Sequence, residues 1–204
     1  LLPRTRTSLR AQIDRAEFGG RDFGGIELDA ELDSQRLSGR ISDRDEALRL
    51  LLSVSGTLTE REQRIGLSGS VFGFDLAALG VSPEPIGGSF ALDASASAAG
   101  KGAYAARIAL DSIEIRNKHR TDRIRPTSVS LHTDSAATRA EAASGDLSLT
   151  FSTPQSADSL IAALTRSART LAGQIDAQSI DMEQLKPALP DFALRVSAGP
   201  DNIL

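Results

Sequence analysis

Roughly ten stretches of this chain alternate apolar and polar side chains with a period of two, and nothing else in it constrains the fold so tightly. Ile65, Leu67, Gly69 and Val71 fall two apart, as do Phe90, Leu92, Ala94, Ala96 and Ala98, and then Tyr104, Ala106, Ile108 and Leu110. An extended backbone throws every second side chain to the same side, so each run predicts a strand with one apolar face. Between the first two lies DLAALGVSPEP, whose Gly80, Pro83 and Pro85 interrupt pairing rather than continue it.

The same period appears on both sides of this centre. Leu9, Ala11 and Ile13 oppose Ser8, Arg10 and Gln12; Gly19, Gly20, Gly24 and Gly25 then frame a short RDF segment where the backbone can turn or bulge. Ile26, Leu28, Ala30 and Leu32 alternate with four carboxylates, and Leu37, Gly39 and Ile41 read as the return strand of a hairpin turning near Asp33 to Gln35. Leu48, Leu50, Leu52, Val54 and Leu58 share one face. Arg49 and Leu51 leave a short helix open there, but the β-branched and Gly residues after Leu52 favour a strand. Val129 and Leu131, then Leu147, Leu149 and Phe151, and finally Phe192, Leu194 and Val196 repeat the alternation.

One segment has a different period. From Asp158, Leu160, Leu164, Leu171 and Ile175 recur with alanines at three- and four-residue spacings, which predicts an amphipathic helix with Ser156 or Asp158 as its cap. A shorter turn beginning near Asp181 must end at Pro187 and Pro190. The expected fold is therefore mainly β: a mostly antiparallel, curved, groove-like sheet with one helical insertion near the C-terminus. Residues 1–74 would form the first set of strands, 75–89 a junction, and 90–204 a second set with the helical insertion over about 156–186, all in one continuous groove.

Composition suits an open sheet. Hydrophobic residues are 40 % of the 204, below the ~45–50 % of ordinary globular chains, and large ones are scarce: seven Phe, one Tyr and no Trp. Lys plus Arg number 23 against 27 Asp plus Glu, with the signs interspersed, which argues against a nucleic-acid surface. The basic run Arg116 to Arg125 reads as a solvated turn or as a contact for anionic head groups or an acidic partner. The absence of cysteine excludes disulfides, thiolate catalysis and Cys-ligated zinc. No apolar run reaches the ~18 residues of a membrane-spanning helix, and the chain reads as a fragment of a longer protein.

Candidate active sites fail on spacing. GLSGS at Gly66 to Ser70 lacks the last glycine of a nucleophile elbow and falls within a strand pattern. Gly100 and Lys101 have no glycine five residues earlier, so they make no phosphate loop. His119 and His132, with Asp122 and Asp134 nearby, lie in polar, turn-like surroundings that favour solvated side chains over a metal site. Asp29 and Glu31 belong to a ladder of carboxylates on a wet face. The expectation is a protein without catalytic residues, metal or cofactor.

Several motifs in order resemble the TamB family, the large periplasmic members of the AsmA-like group, in its Bacteroidetes branch. DLAALGVSPEP opens onto a long alternating strand, an RPT segment precedes another (Arg125 to Leu131), and a GD-x-x-L-x-F strand follows (Gly145 to Phe151). A helix beginning with Asp158, Ser159 and Leu160 comes next, then ALPDF (Ala188 to Phe192) and an SAG-x-DN ending (Ser197 to Asn202). Together they cover about Asp75 to Asn202. The chain departs from the family at Val81, where leucine is usual, in the Ala- and Ser-rich run Phe90 to Ala98, and in having neither the N-terminal anchor helix nor the C-terminal domain of the family.

The resemblance implies a long, twisted, taco-shaped sheet that stands in the periplasm, anchored in the inner membrane by an N-terminal helix, and conducts phospholipid toward the outer membrane. An Omp85-type outer-membrane barrel is the protein partner it implies. In that picture the rail is formed by Ile26, Leu28, Leu32, Leu48, Leu50, Leu52, Val54, Ile65, Leu67, Val71, Phe90, Leu92, Ile108, Leu110, Val129, Leu131, Leu147, Leu149, Phe151, Phe192, Leu194 and Val196. The helix would act as a lid, with Leu160, Leu164, Leu171 and Ile175 packing where lipid would otherwise sit, or else lie on an edge or dock a partner. Two further readings are a strand-templating factor for outer-membrane proteins and a passive β-repeat spacer.

Overall fold

The computed structural model describes residues 6–14, 16–18, 21–23, 25–100, 102–176 and 181–200. Gly19, Gly20, Gly24, Lys101, Asp201 and Asn202, singled out above, lie outside them. The strands are β1 (Arg6–Ile13), β2 (Ala16–Phe18), β3 (Arg21–Phe23), β4 (Ile26–Asp33), β5 (Arg36–Arg44), β6 (Leu48–Leu58), β7 (Glu62–Asp75), β8 (Gly87–Ala99), β9 (Ala103–Arg116), β10 (Thr121–Ile124), β11 (Thr127–Thr133), β12 (Thr138–Ser144), β13 (Leu147–Thr153) and β14 (Ala193–Ser197). The helices are α1 (Ala157–Asp176) and the single turn α2 (Met182–Leu185), which runs into a 3-10 turn at Lys186–Ala188.

Twelve strands form one antiparallel, curved sheet that does not close, in the order β1-β4-β5-β6-β7-β8-β9-β11-β12-β13-β14, with β10 also on β9. Strands β2 and β3 make a separate small hairpin inserted between β1 and β4. The order follows the chain because the connections are short, and short connections join antiparallel neighbours. The β4–β5 turn falls at Ser34 and Gln35, as the sequence predicts, with Ser34 at φ 58°. Leu48–Leu58 is a strand throughout.

Two bulges shift the alternation. On β7, Leu50 pairs with Val71 but Arg49 with Gly73, so Phe72 is an extra residue and Phe74 moves to the face of Val71. On β9, Asp111 pairs with Ala91 and Glu114 with Ser89, so Phe90 faces two residues, Ser112 and Ile113. Ser112 sits at φ 52°, the left-handed conformation of such a bulge. Across the next gap Ile113 pairs with Ile124 and Leu110 with Thr127, leaving Arg125 and Pro126 between β10 and β11. A proline, which cannot donate to a ladder, belongs at such a break.

The chain exposes 14517 Å² of surface, where a compact chain of its 21.5 kDa mass would expose about 9,200 Å². The excess reflects the lack of a second layer. Substantial strand contacts are those between hydrogen-bonded neighbours, and α1 packs mainly on α2 and the turn after it.

Candidate functional site, an uncovered apolar face

The register joins the strands' apolar faces into one. Starting from β1, one row of directly opposed residues runs Leu9, Ala30, Gly39, Val54, Leu67, Ala94, Ile108, Val129, Ala142, Leu149 and Val196, through every strand of the main path and without a polar side chain. The next row is Thr7, Leu32, Leu37, Gly56, Ile65, Ala96, Ala106, Leu131, Ala140, Phe151 and Leu194. On the other side of the first row, Ala11, Leu28, Ile41, Leu52, Gly69, Leu92 and Leu110 continue the pattern to Thr127, Ser144 and Leu147. Ile26, Leu48, Leu50, Val71 and Phe90 extend the same face, and Phe192 reaches it just before β14, its ring stacked on Phe151 with centroids 5.7 Å apart. All twenty-two residues named from the sequence therefore share one side.

Three more join them through the bulges. Phe74 lies against Phe90 at 6.1 Å and over Gly88, while Ile113 and Ile115 arrive on the face because Ser112 breaks the period. Strict alternation assigns all three to the wrong side; Asp111-Ser112 was the only local hint, as a polar pair inside an apolar run.

Coverage of the face is uneven. Around the bulges Leu52, Val71 and Ile113 are 7–8 % exposed. Toward both sheet edges and over β9 to β13 the face is open: Leu9, Ile108, Val129, Leu149 and Val196 are exposed, Val196 by 60 %. An apolar face this wide ordinarily marks a binding surface. Each methylene group placed on it would gain about 0.8 kcal/mol.

The helix differs from the expected lid. Leu164, Leu171 and Ile175 are exposed and Leu160 is half-buried, while Ala163, Ser167 and Gln174 are buried. The chain after α1 returns along that small, polar stripe: Gln174 Nε2 donates to the Asp181 carbonyl at 3.0 Å and the Asp181 N–H to Gln174 Oε1 at 3.2 Å. Packing of the return segment on this stripe leaves Leu164, Leu171 and Ile175, one residue step or about 100° further round the helix, facing outward. Ser156 caps the helix through the Ser159 N–H. The helix is tied to the sheet by threonines: Thr133 Oγ1 accepts from the Ala157 N–H at 3.0 Å and bonds Thr138 Oγ1 at 2.8 Å, and Thr138 Oγ1 donates to the Gln155 carbonyl.

The opposite face is polar, with cross-strand ion pairs Arg10–Asp29 and Arg123–Glu114 and another between Arg6 and Glu31. In the basic run, Arg120 pairs with Asp122 and Lys118 with Glu84. His119 lies in the turn before β10 and His132 on β11; among the described residues no three His, Asp or Glu side chains gather as a metal would require. Gly66 to Ser70 is an inner part of β7. Among the described residues no helix is long and apolar enough to cross a membrane. Compared with known protein families, curated proteins and solved structures, the chain matches none.

Proposed function

We propose that the chain is a segment of a TamB-like periplasmic protein, anchored in the inner membrane, whose apolar face carries phospholipid between the two membranes. The observation that supports this is the unbroken apolar row from Leu9 to Val196 on a sheet with no second layer. At about 4.8 Å per strand that row spans roughly 50 Å, wider than the protein's own side chains can cover. Acyl chains would lie on it while a head group stays wet at the open side, and transport needs no catalytic residue.

The free edges β1 and β14 favour a second reading, in which an edge templates strands of outer-membrane proteins beside an Omp85-type barrel. The two readings separate by experiment. Purified protein is extracted and analysed for phospholipid by mass spectrometry, in parallel with Val129→Asp plus Leu149→Asp, whose side chains are exposed and tolerate change, and with Ser53→Asp on the polar face. Phospholipid in the parent and in Ser53→Asp, lost from the double variant, is the expected result. Folded, lipid-free parent protein that also takes up no fluorescent phospholipid from vesicles refutes carriage; crosslinks from β14 to a barrel protein would then favour templating.

A further inference from the structure

The polar face holds a depression of about 380 Å³ over β7, β8, β9, β11 and β12, lined by Arg64, Arg107, His132 and Arg139 and by one acid, Glu141. We propose that it binds a phosphate-bearing anion. The site lies on the side of the sheet away from the apolar rows and stands independently of lipid carriage.

In β1–β4 and β9–β10 the register sets acids directly across from arginines, Arg10 with Asp29 and Arg123 with Glu114, and the pairs close on each other. Arg107 instead has Ser95 on one side and Ser130 on the other, and among the described residues no ion pair forms to it. Its nearest acid in the lattice of the sheet is Asp93, one diagonal step away, a separation of about 7–8 Å. Arg64 and Arg139 do pair, each with an acid two residues along its own strand; Glu62 lies outside the depression, while Glu141 sits in it, across Ser130 from Arg107, so three guanidinium groups face one lining carboxylate. The register places Ser97, Ala105 and His132 in one row from Arg64 to Arg139, so the short side chains of Ser97 and Ala105 floor the depression between Arg64 and His132.

The outcome is a central unpaired guanidinium, two flanking ones oriented by their own carboxylates, and hydroxyls from Ser95 and Ser130 beside it. Planar guanidinium groups offer paired donors matched to phosphate oxygens, and hydroxyls complete the shell. The volume exceeds that of a bare phosphate and falls in the range of small-molecule sites. The chemistry is therefore a phosphate ester, either on a soluble metabolite or on a lipid head group.

The test uses the whole chain labelled with 15N. Glycerol 3-phosphate is titrated in low salt while amide shifts are followed, and the same protein is mixed with phosphatidylcholine vesicles containing phosphatidylglycerol. Shifts centred on Arg107, Ser130 and His132 that weaken about tenfold or more in Arg107→Ser, and that are unchanged in Arg40→Ser, establish the site. Response to the ester alone assigns a soluble ligand, and response to the vesicles a head group. Arg107→Ser that keeps its circular dichroism yet binds as tightly as the parent, or shifts spread evenly over the polar face, overturns it.

Discussion

Deleting Asp111 together with Ser112 should cost most of the order in the centre of the sheet. Ser112 is the extra residue opposite Phe90, so its removal alone takes out the bulge and keeps Ile113 and Ile115 on the apolar face. Removing Asp111 as well shifts everything that follows by one place relative to Leu110. Ile113 and Ile115 would then turn to the polar face and Glu114 to the apolar one. Ile113 is 8 % exposed, so uncovering it loses about 2–3 kcal/mol, and half-buried Ile115 loses about 1 more. Turning Glu114 inward adds about 1–3 kcal/mol. Against this, a non-glycine residue leaves the left-handed region, which returns about 1–2 kcal/mol. The net loss is roughly 3–4 kcal/mol, a large part of the ~5–15 kcal/mol of an ordinary domain. In urea, with a slope of about 2–3 kcal/mol per M, the midpoint should fall by about 1–2 M. Ser112→Gly keeps the bulge and relieves its backbone, and its midpoint should rise by a few tenths of a molar. An unchanged midpoint in the double deletion would show that the spacing from Leu110 does not set which residues face the apolar side.

Further outcomes follow from single contacts. Gly69→Ala drives a Cβ into the Leu51 carbonyl oxygen at φ 151°, so it should lose about 2 kcal/mol or more in urea unfolding; a loss under about 0.5 kcal/mol contradicts the geometry. Thr133→Val leaves the half-buried Ala157 N–H without its acceptor, at a cost of about 1–2 kcal/mol, and limited proteolysis should cut near Gln155 sooner than in the parent. Asp134 accepts the N–H groups of Ala136 and Ala137, which hold its carboxyl below the ordinary value of 3.8. Its contribution is thus present above that value and lost as pH falls through the lower folded one. Asp134→Asn should have a lower urea midpoint than the parent at pH 7 and converge with it in strong acid; a gap that persists there sinks this account.

The sequence made the shared face readable because a period of two survives any length of strand: Leu28, Leu52, Leu92 and Leu149 needed no structure to be placed on one side. The period carries no record of an inserted residue, however, so Phe74, Ile113 and Ile115 emerged only with the register. For α1 the spacing located the helix between Ser156 and Ile175 but not the side it would bury. That side was decided by the hydrogen bonds of Gln174 with Asp181, which are made to backbone groups and leave no trace in a hydropathy pattern. The basic depression was invisible for a similar reason, since Arg64, Arg107 and Arg139 are scattered in the chain and meet only through pairing.

Because each long strand pairs almost solely with those next to it in the chain, the sheet behaves as a ribbon of interchangeable hairpins. Removing or duplicating one hairpin alters only the seams beside it, so such a chain can change its reach by whole units while the remaining pairs keep their partners, and folding can spread outward from whichever turn forms first.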